Sequence, residues 1–202
     1  MSETSKFRED LIIFCEGYGL DIGYGGDPIK TTSITIDLPI PYTKLGSYPL
    51  HLGGDARKLY WFSDNSLNYV YSSHCLEDFE DTESVLTEWL RVLKPGGMLV
   101  LLLPDQQRYE KWCSDHKTEP NAAHKIKNFS LSYLKDIVSK LNYVKIIHTK
   151  DIMEEYNFQI VLEKTMKIYH CKVVKLSNYF NKIFDIIKKN TKFRHSKFIA
   201  SK

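Results

Sequence analysis

The 202 residues, 43% hydrophobic and 26% charged, are enough to bury one sizeable core and too few for two full domains. The first residues are polar and the longest apolar run, Met98 to Leu103, is far below membrane-spanning length, so a soluble cytoplasmic protein is expected. A net charge of +3 conceals an asymmetry: Thr165 to Lys202 holds ten basic residues and one acid, a net +9, which leaves residues 1–164 at −6.

The charge division predicts a folded domain over 1–164 and a basic amphipathic tail over 165–202. Cys15, Cys75, Cys113 and Cys171 are widely separated, which argues against a disulfide framework and a thiolate metal site, and no metal is expected.

In chain order, Ser5 to Cys15 carries Phe7, Leu11 and Phe14 at helical spacing. A short strand at Gly19 to Ile22 runs into glycines, followed by strands at Ser33 to Ile36, Leu50 to Leu52 and Leu67 to Tyr71. A helix is predicted from about Asp81 to Leu93, with Val85, Leu86, Trp89 and Leu90 on one face, and Lys94-Pro95-Gly96-Gly97 stops it. Met98 to Leu103 is the uninterrupted apolar strand of a sheet covered on both faces. Helices at Gln106 to Cys113 and Ser130 to Leu141 come next. Strands at Val144 to Thr149 and Phe158 to Glu163 close the domain as an antiparallel pair at one edge. The alternation implies an α/β, doubly wound, Rossmann-like, seven-stranded and mostly parallel sheet with an antiparallel edge strand, followed by a C-terminal helical tail. About ten residues separate the glycine loop from the second strand, so the first crossover must be short, with a turn or a single helical turn near Pro28 to Thr31.

Gly23, Gly25 and Gly26 let the backbone turn tightly and approach a ligand, although a tight turn alone would use them too. Asp21, Asp37 and Asp55 fall at the ends of three successive strands, where a doubly wound sheet binds ligands. An acid after the second strand suits ribose hydroxyls, and one after the third suits an adenine amino group.

Gly19-Leu20-Asp21-Ile22-Gly23-Tyr24-Gly25-Gly26, Asn68 to Glu77, and above all Glu88-Trp89-Leu90-Arg91-Val92-Leu93-Lys94-Pro95-Gly96-Gly97-Met98-Leu99 resemble, in that order, three motifs of the class I S-adenosylmethionine-dependent methyltransferases. The resemblance covers about residues 10 to 164. It implies S-adenosylmethionine as cofactor, held by Asp21, Gly23, Tyr24, Gly25, Asp37, Leu38, Gly54, Asp55, Ala56, Ser72 and Ser73. Asn68 stands where the family is often acidic, and Tyr24 is bulkier than the usual small residue.

Methyl transfer needs alignment of the acceptor, and a hydroxyl acceptor also benefits from a base. His74, Asp105 and His124 are the candidate catalytic residues, with Asp78 a further one, and a structural hydrogen bond is the competing reading for His74. Asn121 to Lys125 resembles the acceptor-side insertion of methyltransferases associated with surface polysaccharide biosynthesis, which makes a glycan or small-molecule hydroxyl the expected acceptor. Most aromatic rings, including Tyr69, Trp89 and Phe158, fall on core-facing periods, whereas Trp61 and Tyr109 lie near strand ends on the ligand side. The tail suits packing on its own domain, a homodimer contact or a peripheral membrane contact. RNA methylation through that tail, a non-catalytic S-adenosylmethionine-binding protein and an NAD-dependent oxidoreductase are the alternatives. No nucleic-acid partner is expected, because the body is acidic and contains no nucleic-acid module.

Overall fold

The structure, a computed structural model, describes residues 2–40 and 48–166; the predicted tail helix lies outside the described residues. Seven strands form one sheet in the order β3-β2-β1-β4-β5-β7-β6. They are β1 (Gly19–Ile22), β2 (Ile34–Asp37), β3 (Leu52–Gly53), β4 (Leu67–Ser73), β5 (Leu93–Pro104), β6 (Val144–Met153) and β7 (Asn157–Lys164). The first five are parallel, while β7 runs antiparallel to both β5 and β6. The antiparallel pair at the edge is as expected, with the reversed β7 lying one strand in and β6 forming the rim.

The fifth strand begins five residues earlier than the apolar run suggests. Leu93 pairs with Leu67, and Met98 next pairs with Tyr69, so Lys94 to Gly97 loops out between two rungs. Gly96 takes φ +80° there, a conformation open to glycine. Strand alternation then sorts the core onto two faces. Val70, Leu99, Leu101 and Leu103 point to one face, covered by α2 (Thr82–Val92) and α4 (Leu131–Ser139) through Val85, Leu86, Trp89, Leu90, Leu134 and Val138. Asp81 and Ser130 cap these helices by accepting the Ser84 and Tyr133 N–H groups. At the far end of α2 the Lys164 ammonium donates to the carbonyls of Arg91 and Leu93, placing a cation where the helix dipole is negative.

The opposite face carries Tyr69, Tyr71, Val100, Leu102 and Val161. Among the described residues no crossover helix covers it: Gly23 to Ser33 forms only turns, closed by Asp27 N–H to Tyr24 O and Ser33 N–H to Lys30 O. The N-terminal α1 (Glu3–Leu11) lies there instead, burying Phe7 and Leu11 with Cys15 and the crossover residue Ile29. Polar groups lock it in place. Asp27 accepts the Ser2 and Ser5 hydroxyls and the Arg8 guanidinium. Burial opposes the charge on Asp27, but these three donors outweigh it and hold the carboxyl below its usual range. The two long tyrosines of the face end on hydroxyl partners, Tyr69 on Ser33 at 2.7 Å and Tyr71 on Thr4 at 3.1 Å.

Leu11 is fully buried at the centre of this layer. Leu11→Ala should therefore cost about 2–5 kcal/mol of unfolding free energy in urea titrations. A change below about 0.5 kcal/mol would mean that α1 does not serve as a covering layer.

Candidate functional site

A cavity of about 630 Å³ opens at the carboxyl ends of β1 to β4. Gly23, Tyr24 and Gly25 follow β1, Asp37 and Leu38 end β2, Gly54, Asp55 and Ala56 follow β3, and Ser73, His74 and Cys75 end β4; all line the cavity. Ser2, Glu3 and Thr4 of the N-terminal segment close one side, while Asn121, Ala123 and Lys125 close another. Gly23 and Gly25 take φ +67° and +56°, and a Cβ on Gly23 would stand 2.8 Å from the Cys75 side chain. Tyr24 between them needs no positive φ, so its bulk is accommodated. Its ring is buried and its hydroxyl donates to Tyr48 O at 3.0 Å.

Asp37 accepts the Gly25 N–H at 3.2 Å and the Leu38 N–H at 2.8 Å, tying the end of β2 to the glycine turn. Asp55 is paired with Arg57 through both carboxylate oxygens, at 2.7–3.0 Å, and this pairing holds its carboxyl below the usual range. Ala56 is fixed through its carbonyl, which accepts the Trp89 indole N–H at 2.8 Å. Trp61 packs the edge of its ring against Gly54, half exposed, and is not among the residues that line the cavity.

Two residues expected to hold the cofactor lie behind the wall. Asp21 is 1% exposed and accepts the Ile29 N–H at 2.5 Å, so it braces the short crossover; burial, opposed by that hydrogen bond, pushes its carboxyl well up. Ser72 is fully buried, and its hydroxyl donates to Ile22 O at 3.0 Å, tying β4 to β1. Asp105 is a third correction. It is the N-cap of α3 (Gln106–Asp115), accepting the Arg108 N–H at 3.1 Å, and it lines a separate shallow pocket. A strand-end acid that opens a helix is used by the helix N–H groups.

His74 and His124 converge on a residue that the sequence did not single out. Glu77, three positions after His74, is fully buried, and neither carboxylate oxygen has a hydrogen-bond partner. His74 Nδ1 lies 3.8 Å and His124 Nε2 3.6 Å from Glu77 Oε1. The outer nitrogens are anchored, His74 Nε2 on Asn157 Oδ1 and His124 Nδ1 on Gln106 Oε1, both at 2.7 Å. His74 also adopts φ +49°, strain of a kind that collects at functional sites. Tyr109, flagged by its position, packs on the His124 ring at 4.9 Å and accepts the Asn121 N–H, so it supports the insertion. Burial lowers the His74 imidazole and raises the Glu77 carboxyl. His124 is pushed down to about 4, chiefly by burial and then by neighbouring His74.

His124 titration follows from this arrangement. The unfolded imidazole takes a proton near pH 6.5, while the folded one resists until about 4, so the unfolded state binds the extra proton between these values. Stability should fall as pH drops through that interval, and less steeply in His124→Gln. Imidazole NMR should give a His124 midpoint near 4; a midpoint near 6.5 would contradict the buried neutral ring.

Residues 42–101 match a family model described as a methyltransferase domain. Over 107 residues, 52% of the chain, there is 32% identity to Phosphoethanolamine N-methyltransferase 2 of Caenorhabditis elegans. The match spans only 23% of that relative's length. Among solved structures, a SAM-dependent methyltransferase from Archaeoglobus fulgidus superposes with a TM-score of 0.58 at 18% identity, covering 80% of this chain and 92% of the other. Phosphoethanolamine N-methyltransferase 2 of Haemonchus contortus, solved with S-adenosyl-L-methionine, gives 0.57 at 13% identity, covering 80% of this chain and 53% of that one. The chain therefore has the Rossmann-like fold of the class I methyltransferases, a seven-stranded, mostly parallel sheet.

Proposed function

We propose that this chain is an S-adenosylmethionine-dependent methyltransferase that methylates a hydroxyl group of a small molecule or glycan. The observation carrying the reading is the convergence of bare glycine backbone, the Asp37 carboxylate and the Gly54 to Ala56 turn on one cavity. The residues fit the cofactor. Asp37 has a carboxylate at the end of β2 where ribose hydroxyls would donate, and Gly23 to Gly25 leave room for the methionine portion. Ala56 and Asp55 would hold the adenine, with Arg57 paired to the Asp55 carboxylate at that end.

Bound S-adenosylmethionine supplies a methyl group already activated on a sulfonium, which leaves the chain to align an acceptor and exclude water. Both His74 ring nitrogens face protein groups, so His74 shapes the pocket wall. Lys125 and Asn121 on the acceptor side suit a hydroxyl-rich or anionic acceptor. N-methylation of a small phosphate-bearing amine is the second reading, favoured by the similarity to the Caenorhabditis elegans relative. The glycan acceptor rests on the resemblance of the Asn121 to Lys125 insertion, and a place at a membrane surface beside glycan assembly would rest on the basic tail, residues 165–202. The described residues include no helix long and apolar enough to cross a membrane.

Calorimetric titration should show binding of S-adenosylhomocysteine and none of NAD. Asp37→Ala should weaken that binding about 10- to 100-fold, as expected for loss of a charged hydrogen-bond acceptor. Binding of NAD alone, or an unchanged Asp37→Ala, would contradict the proposed site. A labelled methyl donor offered with sugars, phosphoethanolamine and RNA then assigns the acceptor class. Label on sugar oxygen supports the first reading, whereas label on amine nitrogen or RNA replaces it.

A further inference from the structure

We propose that Glu77, Asp78 and His124 form a binding site for a first-row divalent transition ion of the Zn²⁺ type, beside His74 and open to the cavity through Asp78. One ligand atom from each of the three lies within 4.8 Å of the others. The hydrogen-bond network fixes which nitrogen of each histidine is bare. Gln106 donates its amide N–H to Glu110 at 2.9 Å, so its oxygen must face His124, whose Nδ1 therefore carries the hydrogen. Asn157 likewise donates to Glu3 at 3.1 Å, so its oxygen faces His74 and makes Nε2 the protonated nitrogen. Two imidazole lone pairs thus point at a fully buried carboxylate with no hydrogen-bond partner.

Such an arrangement is repulsive unless positive charge lies between the groups. A proton on Glu77 would serve one nitrogen only, and both separations, 3.6 and 3.8 Å, are too long for a hydrogen bond. A metal ion fits better. Bonds of about 2.0–2.2 Å in a tetrahedral site put ligand atoms roughly 3.4 Å apart, near the 3.6 Å between His124 Nε2 and Glu77 Oε1, with Asp78 within 4.8 Å of both. Imidazole nitrogen with carboxylate oxygen favours zinc, manganese or iron over magnesium or calcium. Gln106 and Asn157 then act as the outer hydrogen-bond acceptors that orient metal-facing histidines. No metal spacing is visible along the chain because the ligands come from two segments, 77–78 and 124, brought together where the insertion folds back and Lys125 N–H bonds to Glu77 O.

The test is Zn²⁺ titration of the full chain after chelator treatment, read by competition with a chromophoric chelator. It needs neither donor nor acceptor, so its outcome is independent of the methyl-transfer reading. One ion per chain is expected. Glu77→Gln and His124→Ala should each weaken binding 100-fold or more, Gln106→Leu about 10- to 100-fold, and His116→Ala, on the exposed end of α3, not at all. Unaltered S-adenosylhomocysteine binding and circular dichroism would show that the variants fold. Co²⁺ substitution gives a second reading: visible d–d bands in the wild type that disappear in His124→Ala. Failure to bind Zn²⁺, or equal binding in wild type, Glu77→Gln and His124→Ala, would overturn the proposal; the first result leaves a proton on Glu77 and the second places the ion elsewhere in the chain.

Discussion

Only eleven residues, Gly23 to Ser33, join β1 to β2, fewer than a helical crossover requires, and much of the molecule follows from that shortage. A parallel sheet with one bare apolar face would not be stable, so Tyr69, Tyr71, Val100 and Leu102 need another cover. The chain supplies it from its N-terminal end. Asp27, in the middle of the short crossover, gathers Ser2, Ser5 and Arg8 and thereby fixes α1 across the sheet. Asp21 braces the same crossover from beneath.

A second effect reaches the cavity. Because α1 begins at the carboxyl ends of the strands, Ser2, Glu3 and Thr4 become part of the cavity wall. Glu3 accepts from the Asn157 amide, Asn157 accepts from His74, and across Glu77 stands His124 with Gln106 and Glu110 behind it. This polar line joins α1, β7, the end of β4, the insertion and α3. The helix that completes the fold therefore also sets the orientation of His74.

The sheet was legible in the sequence because its signals are local. Met98 to Leu103 has the composition of a doubly covered strand, and Gly19 to Ile22 followed by glycines marks β1 to the residue. The lining of the cavity was similarly legible through Gly23, Gly25, Asp37 and Ala56, which sit at strand ends and need only the strand order to meet. Asp105 misled because an acid after a strand and an acid before a helix look the same in sequence, and here the helix took it. Ser72 lies in a strand buried on both faces, where no alternation marks it and the Ile22 carbonyl takes up its hydroxyl. Glu77 was hidden for another reason: a glutamate on a short turn normally reads as solvated, and its burial depends on His124, 47 positions later.

The cavity at the ends of β1 to β4 is the proposed site of the methyl donor. A crystal structure of the full chain grown with saturating S-adenosylhomocysteine addresses it most directly. The ribose is expected on Asp37, the adenine beside Ala56 and the amino-acid portion over Gly23 to Gly25. Ligand bound away from Asp37, or a cavity without ligand at saturation, would contradict it.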